Sequence, residues 1–133
     1  MRQLSTVEIN RIKLLTENSV ELTLIEPTKT GLGKSIMDAT GPVRSYLKEK
    51  LVHDYDNQMQ GQAHKIFINS YLVDTGSLIR STASLYRPVS KKGDPRIWFK
   101  FLPAYVKAND ILGIIEFDNE LYVLNITRID VER

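Results

Sequence analysis

Gly31-Leu32-Gly33-Lys34-Ser35 has the look of the end of a phosphate-binding P-loop, a lysine and a hydroxyl following glycines. The full pattern needs a glycine five residues before Gly33, where this chain has Thr28. It also needs a helix after it inside a parallel sheet, and no βαβ series is present to supply one. Lys29, Lys34 and the amides of this segment could instead hold a backbone phosphate in another setting. His53-Asp54-Tyr55-Asp56 and His64 offer nitrogen and oxygen ligands, but without the short, fixed spacing of a zinc site. A polar loop against the body of the fold is the simpler reading. Metal-dependent nucleases often set a lysine two residues beyond a metal-binding carboxylate. None of the ten lysines here has an acid at that position, no His-x-Lys occurs, and there is no cysteine nucleophile. The expectation is a chain with no chemistry of its own, no metal and no cofactor.

Charge points elsewhere. Net charge is only +2, yet from Arg80 to Lys107 seven basic residues stand against Asp94 alone. From Asp110 onward acids outnumber bases six to two. A nearly neutral protein with one basic segment can attract phosphates on one side; a solvated basic loop is the plainer alternative. Length, 133 residues, suits one domain spanning 1–133. Without cysteines, without a membrane-length apolar run and without an apolar leader at Met1-Arg2-Gln3, a cytoplasmic protein with no membrane partner is expected.

The elements that must carry these residues are mostly strands. Asn18 to Glu26 alternates, with Val20, Leu22 and Leu24 on one face. Ser5-Thr6-Val7-Glu8 fits a capping box, while Val7 and Ile9 could equally start a strand. Pro27 to Ser35 reads as a loop. Thr40-Gly41-Pro42 opens the clearest helix, with Val43, Tyr46, Leu47 and Leu51 at helical spacing. His53 to Gln62 is irregular. Strands follow at Lys65 to Val73, Leu78 to Tyr86 and Arg96 to Phe101, and a helical turn is expected near Pro103 to Val106. A closing hairpin, Ile111 to Phe117 and Glu120 to Thr127, turns on Asp118-Asn119. Of Trp98, Phe99 and Phe101, most are expected in the core rather than on a base-stacking surface. The fold class is mainly β: a seven-stranded open pseudobarrel with one or two short helices.

The run Arg80-Ser-Thr-Ala-Ser-Leu-Tyr-Arg-Pro through Lys91-Lys-Gly-Asp-Pro-Arg-Ile-Trp-Phe, closing with Ile111-Leu-Gly-Ile-Ile and Leu121-Tyr-Val-Leu-Asn-Ile, carries a resemblance. Over about Asn18 to Thr127 the chain resembles the amino-terminal effector DNA-binding domain of EcoRII-type restriction endonucleases. Those domains share a pseudobarrel with plant auxin-response and abscisic-acid-response transcription factors. It is a match of feature order with few identities, and the chain is shorter than such domains often are.

The resemblance implies two strand-loop-strand arms that grip the major groove like the jaws of a wrench. By it, the first arm is Thr28 to Ser35, offering Lys29, Thr30, Lys34 and Ser35. The second runs from Arg80 through Arg96, offering Arg80, Thr82, Ser84, Arg87, Lys91, Lys92 and Arg96. Alternation puts Arg80, Thr82 and Ser84 on one face and Ser81, Ala83 and Leu85 on the other. Arg87 and Arg96 are expected to read bases, Lys91 and Lys92 to hold phosphates, with Asn57 and Gln58 as outlying candidates. The implied partners are double-stranded DNA, with a short GC-bounded target such as CCWGG, and a covalently fused nuclease domain beyond Arg133. A monomer is expected. Two other readings stay open: an RNA- or modified-base-binding barrel that flips a base between Trp98 and Tyr105, and a metal-dependent enzyme built around His53 and His64.

Overall fold

The structure is a computed structural model that describes residues 1–129. Its first element, α1 (Thr6–Thr16), takes the helical option at the chain start. The Glu8 amide donates to Ser5 Oγ at 3.1 Å, and the Ser5 amide donates to the Glu8 carboxylate at 2.9 Å. This reciprocal cap satisfies amides that a helix start otherwise leaves bare. Glu8 is buried, and its carboxylate also takes hydrogen bonds from Arg2 and from Thr127 Oγ1. The cap therefore ties the helix to the far end of the chain.

Seven strands form one sheet: β1 (Thr23–Ile25), β2 (Met37–Asp38), β3 (Ile66–Asp74), β4 (Ser77–Tyr86), β5 (Arg96–Phe99), β6 (Leu112–Phe117) and β7 (Glu120–Asn125). Their order is β1-β6-β7-β3-β4-β5-β2, and the sheet curls into a half-barrel. The mainly β, seven-stranded open architecture is as expected. All neighbours are antiparallel except β3 and β7. The parallel pair is braced by Tyr105, whose hydroxyl lies 2.5 Å from the Val73 carbonyl and 3.0 Å from that of Val123. The same oxygen accepts from the Asn125 amide at 3.0 Å.

Several expectations need correction. The described residues hold four α-helices: α1, α2 (Lys29–Lys34), α3 (Pro42–Glu49) and α4 (Leu102–Tyr105). Helix content exceeds one or two short helices because the expected loop at Pro27 to Ser35 caps and coils. Thr28 Oγ1 accepts from the Gly31 amide at 2.9 Å, and Ser35 closes the turn in the left-handed region at φ 58°. The alternation from Asn18 yields a strand only over Thr23–Ile25, since ladder pairing with β6 is limited to those residues. α3 begins as expected, with Gly41 at φ +59° before Pro42, but Leu51 lies beyond its end, 88% exposed. The closing hairpin turns as expected on Asp118 and Asn119, both at positive φ.

The inner face of the half-barrel holds the main core, including Leu72, Leu85, Ile97, Phe99, Leu112, Ile114, Leu121 and Val123. Helix α3 contributes Val43, Tyr46 and Leu47 to it. On the opposite face a smaller cluster packs α1, through Ile12 and Leu15, over Leu24, Ile115 and Leu124. Among the described residues no helix is long and apolar enough to cross a membrane.

Candidate nucleic-acid interface

β2 and β5 are hydrogen-bonded neighbours, with Met37 opposite Ile97 and Asp38 opposite Arg96. The chain between β1 and β2 and the chain between β4 and β5 therefore spring from adjacent strands. A further bond from the Ala39 amide to the Pro95 carbonyl, 2.9 Å, extends this junction. Thr30, Lys34, Lys91 and Arg96 line one small cleft of about 160 Å³ between the two projections. Residues some sixty positions apart in sequence are thus brought together.

The first projection is a strand-helix-strand unit rather than the expected strand-loop-strand. Lys29, Thr30, Lys34 and Ser35 are all exposed on it. Gly31 is required there by close approach: a Cβ would meet the Ile36 carbonyl oxygen at 2.6 Å and Thr28 Oγ1 at 2.9 Å. The P-loop likeness dissolves for the same reason. The amides of Gly31, Leu32, Ser35 and Ile36 all donate within the segment, to Thr28, Leu32 and Gly31, so those of the glycine-rich stretch are not free to cradle a phosphate.

At the tip of the second projection Lys91, Lys92 and Gly93 take positive φ in succession, at 50°, 58° and 69°. Left-handed backbone suits glycine and is costly for lysine. Both lysine side chains are exposed. Arg87 closes the base of this loop, donating from Nε to the Gly93 carbonyl at 2.8 Å and from Nη1 to those of Gln58 (2.9 Å) and Tyr55 (3.4 Å). Arg96 is 7% exposed and ion-paired with Asp38, and its carbonyl accepts from the Tyr55 hydroxyl at 2.9 Å. Both guanidinium groups are engaged inside the fold, so the expectation that Arg87 and Arg96 read bases gives way to a bracing role. Burial leaves Tyr55 with its hydroxyl pKa pushed far up, in keeping with a purely structural donor.

Arg80, Thr82 and Ser84 stand on the outer face of β4, with Ser81, Ala83 and Leu85 buried, as alternation predicts. They belong to the sheet and not to the arm. Arg80 lies six residues before the end of β4, roughly 20 Å along the strand. The basic segment from Arg80 to Lys107 therefore divides between arm tip, interior and outer sheet face.

The other candidates resolve into structure. Gln58 donates to the carbonyls of His64 and Leu85, both at 2.9 Å, which leaves its oxygen to accept from His53 Nε2 at 3.0 Å. Gln58 is buried and unavailable as an adenine reader. Burial lowers the His53 pKa. Asn57 donates to Asp54 at 2.7 Å. Among the described residues no three His, Cys, Asp or Glu side chains gather where they could hold a metal, so His53 and His64 have no ligand set to join. Of the aromatic trio Phe99 is fully buried and Trp98, half-buried on β5, packs against the main core, as expected for most of them, while Phe101 is exposed. The Tyr105 hydroxyl is committed to the β3–β7 junction, and both Trp98 and Tyr105 pack against the main core. Phe67, Asn69 and Tyr71 alternate along β3 onto the outer face, and Lys100 follows β5 in an exposed turn.

A scan against protein-family models and searches of curated proteins and of solved structures find no match to this chain.

Proposed function

We propose that this chain binds double-stranded DNA by straddling a groove edge with two lysine-bearing arms, as a recognition module without catalysis of its own. The supporting observation is the β2–β5 pairing, which sets the helical first arm and the Lys91-Lys92 loop side by side around one cleft. Among the described residues none of Lys29, Lys34, Lys91 and Lys92 makes a salt bridge, so all four ammonium groups remain available to phosphate oxygens. The strained tip favours the same reading. Two lysines held at left-handed φ each cost on the order of 1 kcal/mol against glycine, and both ammonium groups are held outward at the tip. Thr30 and Ser35 carry the base-edge contacts that Arg87 and Arg96 are not placed to make. On the resemblance noted above, the parent protein is a cytoplasmic restriction endonuclease in which this module holds an effector copy of a short site such as CCWGG.

Four phosphate contacts set a binding slope of about −3.6 in log K against log salt. Anisotropy with a labelled duplex across a salt series measures it. Lys34→Ala or Lys91→Ala should each remove roughly 0.9 from that slope and weaken all duplexes alike. Unchanged slopes in both variants, or no duplex binding at low salt, overturn the proposal.

A further inference from the structure

The cluster that packs helix α1 on the outer face of the sheet draws on β1, β6 and β7 and reaches Val73 at the end of β3. Over the rest of β3 and over β4 and β5 that face is more open: Phe67 is 65% exposed, Trp98 is half-buried with one side packed against the core, and Asn69, Arg80 and Lys100 are exposed on the rows beyond. We infer that this open face binds unpaired nucleotides, stacking bases on Phe67 and Trp98 and drawing their phosphates to Arg80 and Lys100.

Register supplies the geometry. Ser84 is paired with Phe67 on one side and with Trp98 on the other, so a small residue separates the two rings. Two strand spacings put their Cα atoms roughly 9–10 Å apart. The slot over Ser84 is thus wider than the about 3.4 Å that one base occupies in a stack. The next row holds Asn69 opposite Thr82, and the Lys100 amide donates to the Thr82 carbonyl at 3.0 Å. An amide, a hydroxyl and an ammonium group follow the rings. One row further, Tyr71 faces Arg80 and stacks on Tyr122, centroids 5.0 Å apart and planes 21° apart.

Aromatic faces interleaved with cations are what sequence-tolerant single-strand binding uses. Charge complementarity favours a polyanion. Among the described residues neither Arg80 nor Lys100 is in a salt bridge, while the nearby acid Glu120 accepts from the Tyr71 hydroxyl at 3.4 Å. None of the arm lysines takes part, so this inference stands apart from the duplex reading.

Trp98 is the sole tryptophan, so its emission reports directly on the face. Titrating the full chain with oligo(dT) at low salt should quench it saturably, and added salt should reverse the effect. Phe67→Ala removes an exposed ring, keeps the thermal melt of the parent chain, and should weaken oligo(dT) binding about tenfold. A Lys34→Glu/Lys91→Glu double variant should lose duplex binding and keep oligo(dT) affinity within about twofold. Unaltered Trp98 emission at saturating oligo(dT), equal affinity in Phe67→Ala, or a loss of oligo(dT) binding that follows the arm variant each overturn the inference.

Discussion

The Arg96–Asp38 pair is asymmetric, and that asymmetry makes a prediction about stability. The Arg96 side chain is 8% exposed, whereas that of Asp38 is 68% exposed. Asp38→Ala leaves a nearly buried cation without its anion, which should cost about 3 kcal/mol, the low end for a broken buried pair. Arg96→Ala removes the buried cation itself and lets the Asp38 carboxylate return to water. Its cost should be about 1.5–2 kcal/mol, from one charged hydrogen bond and the packing of the stem. The double variant should resemble Arg96→Ala alone, because the penalty of Asp38→Ala exists only while Arg96 is present. Urea denaturation followed by circular dichroism measures all three, provided the m-value is unchanged. A smaller loss in Asp38→Ala than in Arg96→Ala, or single-variant losses that simply add, would refute the reasoning. Arg96→Ala within about 0.5 kcal/mol of the parent chain, together with relaxed base preference, would return Arg96 to reading DNA.

Glu8 should make the fold acid-sensitive: the hydrogen bond from Arg2, with those from Ser5 and Thr127, prevails over burial and holds its carboxyl well below the usual 4.5. Because its folded value is depressed, the stability it contributes is complete above about 4.5 and declines as pH falls below that. Glu8→Gln should therefore lower the urea midpoint at neutral pH and flatten its fall between neutral pH and strong acid; parallel curves for the two proteins would contradict this. Tyr105→Phe should cost about 1–3 kcal/mol by leaving the Asn125 amide without its acceptor and a strand carbonyl without the hydroxyl proton. A loss under about 0.5 kcal/mol in the same urea assay would remove Tyr105 from the β3–β7 brace. In alkaline absorbance titration, Tyr105 should ionise late, since burial pushes its pKa up to about 12.

Local chemistry was readable wherever a residue's role depends on its chain neighbours. The capping pair Ser5 and Glu8, the Gly41-Pro42 helix start and the Asp118-Asn119 turn all act within a few residues, and each could be proposed from the string alone. The first arm was misread because a six-residue helix containing two glycines has poor propensity. It coils because Thr28 caps it and because Gly31 packs against the Ile36 carbonyl, contacts that a propensity scale omits.

By itself, the sequence determined the later strands, since the period of two separates a buried from an open face along β3 and β4, and it determined where cationic side chains are abundant. The short β1 and the two-residue β2 exist only through their pairing with β6 and β5. Only the tertiary structure decided which cations are free. Arg87 finds its acceptors on Tyr55 and Gln58, and Arg96 finds its anion on Asp38, partners about thirty to sixty residues away. A charged group is neutralised by whatever lies within a few ångströms in space. Strand order, and above all the β2–β5 pairing, sets those neighbours.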